Sequence, residues 1–405
     1  MISLYKQNAF VASPSSLRCG LILETICRKL HFSLAKGRWF VNDEDPRTTT
    51  MTTSTRKNFL LCLAFVGLSA ASVSAQSNTV PAGYFTVNIA AGLGTSAVNS
   101  VVSFPLQGTA AASGQMVGLI TGVTSNTITN GNAGWTAGQL SVQATPYLIQ
   151  ITSGTATGRT FLIATVPTNP VGATNTSTTL TLDAAESNTD LTTLGIVIGT
   201  DTYQIIPADT ISSIFGTPAT TGIQGGATAA QADQIQLLPV SGSSWSTYYY
   251  NTTSAQWLHV GAPIPSNNVV IRPDTGVVYV RLAAAPLTLT LLGQAPAIQR
   301  QAVVSNTGIT LLSTNFPVGT TLGASNIQNI PGWVSGANSS VADTVQIFNG
   351  SWSAYFYNGT DWIHVGAPFV SDSVAINAGS AAVLVKRGTA AGQNILTQPL
   401  PYSLN

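Results

Sequence analysis

Residues 342–387 read ADTVQIFNGSWSAYFYNGTDWIHVGAPFVSDSVAINAGSAAVLVKR, and residues 232–282 read ADQIQLLPVSGSSWSTYYYNTTSAQWLHVGAPIPSNNVVIRPDTGVVYVRL. The Ala-Asp start, Trp-Ser, the Tyr/Phe triplet, Trp-x-His-Val-Gly-Ala-Pro and a Val-rich strand ending in a basic residue all recur. Trp245 maps onto Trp352 at an offset of 107, and His259 onto His364 at an offset of 105. The two-residue difference falls between the aromatic triplet and the second Trp. Self-similarity at a fixed period marks one supersecondary unit used twice. The stretches Tyr203–Phe215 and Val303–Phe316 read as diverged upstream parts of the same unit, giving modules of about one hundred residues.

Within each copy the pattern is a β-hairpin. Asn358-Gly359 separates Tyr355-Phe-Tyr357 from Trp362-Ile-His364, and Asn-Gly is a strong short-range hairpin signal. Side chains alternate across a strand, and pairing around a two- or four-residue loop keeps parity. Tyr355, Tyr357, Trp362 and His364 therefore share one face. Tyr248, Tyr250, Trp257 and His259 share the matching face of the first copy. Phe356, Ile363 and Val365, with Tyr249, Leu258 and Val260, are expected to point into the core. The aromatic face is then either a ligand surface that stacks on sugar rings or grips a protein, or a packing face of cross-strand pairs. Packing is the preferred reading, and both His residues follow it, since a catalytic residue seldom needs a copy in each module.

Outward from the repeat, the chain from residue 76 on reads as an all-β protein, an antiparallel sandwich or barrel-like build. Thr, Val, Ile and Tyr dominate, with Gly, Pro and Asn recurring every 8–12 residues. Strands are expected at residues 84–89, 101–106, 116–120, 147–151, 160–166, 178–182, 234–238, 277–282 and 382–386. Residues 158–166 and 177–183 read as the two strands of one hairpin. Helix is expected only as single turns at 211–215 and 191–194. The domain reading is a β region over 76–200, a first module over 201–300 and a second over 301–405.

The N-terminus has a different composition. Behind Met51 come Arg56 and Lys57, the apolar run Phe59–Leu68, and a small-residue stretch with Val73 and Ala75 before Gln76. This is the pattern of a helical secretory signal peptide over 51–75, cut between Ala75 and Gln76. The apolar run is too short to span a bilayer, which takes about 20 residues. Residues 1–50 then lie upstream of the native start and are expected to be disordered. Residues 1–57 carry nine Lys/Arg and four Asp/Glu. After the cut there remain six Lys/Arg and ten Asp/Glu, a net of −4. Such a surface lacks the positive charge that nucleic-acid binding relies on. Cys19, Cys27 and Cys62 all precede the cut, so the mature chain is cysteine-free, without disulfide, thiol nucleophile or Cys-based metal site. The protein is expected to be exported, with no transmembrane span in its mature part.

No nucleophile elbow, phosphate loop, zinc-protease helix or EF-hand spacing occurs. Glu186 is the only glutamate after the cut, and the nine Asp are scattered, which leaves a paired-carboxylate glycosidase unsupported. The expectation is a non-enzymatic structural or cell-surface protein without cofactor, metal or catalytic residues. It would act in self-association or attachment through its β modules. The alternative is glycan binding at the two aromatic faces.

Val80-Pro-Ala-Gly-Tyr84, Gly134-Trp135 with Gln139, and the twin Y-Y-Y-N…W-x-x-V-G modules form a recognisable combination. It resembles a paralogous family of exported, Thr/Ser/Gly-rich β-proteins of verrucomicrobial bacteria over nearly all of 76–405. The resemblance implies export and a β build and carries no activity. Asn377-Ala-Gly stands where the first copy has Arg272-Pro-Asp, so that turn is expected to differ between the copies.

Overall fold

The structure is a computed structural model that describes residues 32–35, 38–41, 82–108, 116–166, 175–183, 190–239, 244–388 and 393–403. The chain divides into two units, residues 1–79 and 80–405. In the first, Phe32–Ala35 pairs antiparallel with Arg38–Val41. These eight residues, expected to be disordered, form a short β-ribbon. The β-formers Phe32, Trp39, Phe40 and Val41 on either side of Lys36-Gly37 account for it. The proposed signal peptide, its cut at Ala75 and Gln76, and all three cysteines lie outside the described residues.

The second unit is all-β and antiparallel, and no sheet among its described residues closes into a barrel. A six-stranded sheet runs in the order Ala262–Pro265, Gln256–His259, Ser246–Asn251, Gln234–Leu237, Val277–Arg281, Val98–Val102. A five-stranded sheet runs Trp362–His364, Trp352–Tyr357, Thr344–Phe348, Ala381–Arg387, Thr307–Ser313. A two-stranded ribbon accompanies each sheet: Ala82–Ile89 with Leu287–Gln294, and Arg300–Ser305 with Gln393–Gln398. In Leu287–Gln294 the leucines at 287, 289 and 291 are buried while Thr288, Thr290 and Leu292 are exposed. That is the period-2 pattern of a strand covering a core on one side only.

Each sheet and its ribbon enclose one core. Val87, Ile89, Leu287, Leu289 and Leu291 of the first ribbon pack with Ile235, Tyr248, Trp257 and Tyr279 of the six-stranded sheet. Ala302, Val304 and Leu396 of the second ribbon pack with Val345, Tyr355, Trp362 and Leu384 of the five-stranded one. The turn of helix at Ile211–Phe215, expected from the sequence, closes the first core with Ile211, Ile214 and Phe215. Thr210 caps it: its hydroxyl accepts from the Ser213 amide at 3.1 Å, and its own amide donates to the Ser213 hydroxyl at 2.8 Å. The second expected turn appears as a 3-10 turn over Leu191–Thr193.

A third core lies among residues 116–205, built on Ile120, Ile128, Trp135, Leu140, Ile149, Phe161, Leu180 and Tyr203. Its four-stranded sheet runs Val117–Leu119, Thr202–Pro207, Tyr147–Ile151, Thr160–Leu162, beside a three-stranded sheet of Thr179–Thr181, Thr127–Thr129 and Gly122–Val123. The hairpin expected over 158–183 takes another form. Thr160–Leu162 pairs with Tyr147–Ile151, Thr179–Thr181 pairs with Thr127–Thr129, and only the bridge Ile163–Leu182 joins them. Each segment satisfies its backbone in a different sheet. Pairing also crosses the domain boundary expected at residue 200. Val98–Val102 is the outer strand of the six-stranded sheet, and Ala82–Ile89 belongs to the first core.

The two large sheets meet through Val101, Leu238, Val278, Leu311, Ala381 and Val383. Bridges Val102–Ser380 and Thr275–Leu312 stitch them together. The Ser103 hydroxyl is 3.0 Å from that of Thr314.

Candidate functional site

The repeated hairpins form as the alternation requires. Tyr248 stands opposite His259 and Tyr250 opposite Trp257, while Tyr355 stands opposite His364 and Tyr357 opposite Trp362. The Tyr–His rings meet edge to face at 5.3 Å in the first hairpin and 5.2 Å in the second. The Tyr–Trp rings lie 5.8 and 5.5 Å apart. Asparagine organises both turns through its side chain. Asn251 Oδ1 accepts from the amides of Thr253 and Ser254, and Asn358 Oδ1 from those of Thr360 and Asp361. Both loops hold four residues, 252–255 and 358–361, and of Asn358-Gly359 only the glycine has positive φ, at 106°.

The direction of the faces is the reverse of the expectation. Trp257 and Trp362 are 1% and 0% exposed, and Tyr248, Tyr250 and Tyr355 are buried with them. The aromatic set faces the ribbon-covered core. Phe356, Ile363 and Val365, with Tyr249, Leu258 and Val260, lie on the opposite side of their sheets; of these Leu258 and Phe356 are still buried. Both sides of each sheet are partly covered, so an apolar residue is no guide to which side holds the main core. Tyr357, His259 and His364 keep partial exposure. The Trp257 indole N–H donates to the Gly216 carbonyl at 3.0 Å, whereas Trp362 Nε1 has no partner among the described residues. Tyr248 also borders a cleft of about 120 Å³ with Ser246, Arg272 and Thr275.

Charge is handled inside the modules. Asp233 and Asp343, at 1% and 0% exposure, pair with Arg281 at 2.5 Å and Lys386 at 2.7 Å. Each carboxylate also accepts the amide nine residues upstream, Gln224 or Val334, at 2.8 Å. Each accepts in addition from the amide just after its cation, Leu282 at 2.8 Å and Arg387 at 2.7 Å. The cations reach matching carbonyls, Gly222 for Arg281 and Gly332 for Lys386. Lys386 further sits 4.9 Å over the Trp333 ring. In the first module the Tyr279 hydroxyl donates to Asp233 at 2.8 Å, and burial, with that carboxylate adding to it, raises the phenol's pKa. Both members of each pair stand in the sequence repeat, as the Ala-Asp start and the closing basic residue, with no role evident from the sequence pattern alone. Their recurrence in a chain with few charges was the available signal.

A second buried set joins the three cores. Arg272 pairs with Asp274 at 3.2 Å and donates to the Thr160 carbonyl at 2.9 Å. Arg300 donates to Gln107. Burial lowers Arg159 and Arg300 to about 10, opposed by the Asp274 carboxylate, and both stay protonated at neutral pH. The turn at Arg272–Asp274 differs from its counterpart as expected. Both close with the same backbone bond, Thr275 to Arg272 and Ser380 to Asn377. Gly379, however, has φ of 78° and lies against the Phe85 ring.

No described His, Cys, Asp or Glu side chains gather in threes as a metal would need. Asp233, Asp274 and Asp343 answer buried cations, buried Asp201 accepts from the Val197 amide and the Ser153 hydroxyl, and the His259 and His364 rings each meet a tyrosine ring.

Comparison with family models, curated proteins and solved structures returns no match.

Two pairs of exposed apolar side chains recur between the modules. Trp245 and Trp352 are 42% and 48% exposed, and Ile264 and Phe369, after Gly-Ala-Pro in both copies, are 60% and 69% exposed. Ala262–Pro265, which carries Ile264, is the edge strand of its sheet, with Pro263 and Pro265 unable to donate to a further strand. Among the described residues no helix is long and apolar enough to cross a membrane.

Proposed function

We propose that this chain is an exported, non-enzymatic structural or cell-surface protein that works by self-association or attachment through a duplicated β module. The observation that carries the reading is the contrast between inside and outside. The acidic and basic groups repeated in the two modules, Asp233 with Arg281 and Asp343 with Lys386, are engaged in buried structural pairs. The groups repeated on the surface are large and apolar: Trp245 with Trp352, and Ile264 with Phe369. Exposed apolar side chains on a nearly uncharged body favour association.

Glycan binding is the second reading, and the exposed indoles of Trp245 and Trp352 favour it over the buried ladder as the stacking surface. Light scattering of the full chain over a wide concentration range tests the first reading, alongside Ile264→Ser/Phe369→Ser. A concentration-dependent rise in mass, reduced in the variant, is expected. A strictly monomeric chain at every concentration, with no attachment to cells, would remove it. A glycan array lost on Trp245→Ala/Trp352→Ala would shift the assignment to sugar binding. The export part rests on residues 51–75, and N-terminal sequencing of secreted material should begin at Gln76.

A further inference from the structure

The contacts between the two modules repeat themselves with the modules exchanged. Strand pairing fixes the equivalence: Val277 stands opposite Val102, and Ala382 opposite Leu312. Positions 277 and 382 correspond in the sequence repeat, so Val102 corresponds to Leu312. The counterpart of Thr307–Ser313 is thus Val98–Val102 and not the stretch 203–215 expected from the sequence, whose strand Thr202–Pro207 pairs in the four-stranded sheet instead. The bridge Thr275–Leu312 then has its mirror in Ser380–Val102. The Ser313 amide donates to the Asp274 carbonyl at 3.2 Å, and the Ser103 amide to the Gly379 carbonyl at 2.9 Å, again with roles exchanged. The apolar contact is built of corresponding residues: Val101 and Leu311, Val278 and Val383, Val280 and Val385. Gly276 and its own counterpart Ala381 touch each other, as residues beside a two-fold axis must. Two unlike domains have no reason to meet in this way. Two copies of one module related by a two-fold do, because an isologous interface is self-complementary.

We infer that this surface accepts the module of a second copy of the chain, so that self-association proceeds by exchange of residues 300–398 between copies. The inference rests on the self-association reading above. The partner is fixed by the interface itself, since the surface that the first module offers is already shaped to the second. The connection between Gln294 and Arg300 is five residues, spanning at most about 17 Å when extended, and only this segment has to change path. Exchange of an identical element across such a hinge makes a closed dimer without any new contact surface.

The test uses the full chain with Cys19→Ser, Cys27→Ser and Cys62→Ser, so that added thiols are the only ones. Ser103→Cys with Thr314→Cys places a pair across the interface where the hydroxyl oxygens are 3.0 Å apart. Thr275→Cys with Leu312→Cys provides an independent second pair. After refolding at high concentration, monomer and oligomer fractions are separated, oxidised and run without reductant. The expected result is a monomer fraction cross-linked within one chain and an oligomer fraction shifted to the mass of two chains. An oligomer fraction cross-linked only within single chains would overturn module exchange and leave self-association standing on another surface. Absence of any oligomer overturns both readings. Failure of both pairs to close within the monomer would also overturn the inference, because the interface would not be the one described.

Discussion

At the residue scale the molecule is governed by two carboxylates buried with their cations. Taking Asp343 out of water is costly, and the return comes from Lys386 and two backbone amides. Removing one member of such a pair costs about 3–5 kcal/mol, because the other charge stays buried alone. Asp343→Ala and Asp233→Ala should each show that loss in urea unfolding. Asp343→Ala with Lys386→Met should recover part of it, since an apolar pair leaves no orphan charge; equal loss in the single and double variants would mean that the backbone bonds carry the effect. Asp209 gives a pH signature of opposite origin. Burial pushes its carboxyl up to about 6, so the folded state favours the protonated form. An unfolded aspartate titrates near about 3.9. Its contribution is therefore fully present below that value and lost as pH rises through about 6. Asp209→Asn should flatten the fall in melting temperature between about pH 4 and pH 6, and an unchanged slope would assign that fall elsewhere.

At the element scale the hairpins were legible and their orientation was not. Period-2 alternation places Tyr355, Tyr357, Trp362 and His364 together, and the registers agree. It cannot say which side is the core when both sides are covered, one by the ribbon and the other by the second sheet. Nor could it place Val98–Val102, whose partner Val277–Arg281 lies far along the chain and is chosen by tertiary packing. The short helix over Ile211–Phe215 was legible because Thr210 and Ser213 form its cap locally. The ladder supplies a differential prediction. Trp257→Ala and Trp362→Ala should each cost about 3–5 kcal/mol by cavity formation. Phenylalanine should separate the sites. Trp257→Phe breaks a bond to the Gly216 carbonyl, while Trp362→Phe removes an N–H that has no described partner. The first should be worse by about 1–3 kcal/mol, the cost of losing a buried hydrogen bond. Thermal melts giving equal losses would count against the described hydrogen bonding.

At the scale of the whole molecule, stability depends on how closely two equivalent surfaces approach. Gly276 and Ala381 occupy the same place in their modules and face each other, and a Cβ at 276 would collide with that of Ala381. One of the two positions must therefore lack a side chain, and the pseudo-two-fold does not care which. Gly276→Ala should cost about 1–3 kcal/mol through overpacking. Ala381→Gly alone should cost about 1 kcal/mol, from lost contact and added backbone freedom in a strand. The double variant Gly276→Ala/Ala381→Gly exchanges the residues across the axis and should return stability to within about 0.5 kcal/mol of the parent. Residues in contact are expected to be non-additive in this sense. Strict additivity in the urea unfolding of the four proteins would mean that the two positions do not share one space, and the self-complementary packing of the modules would lose its central contact.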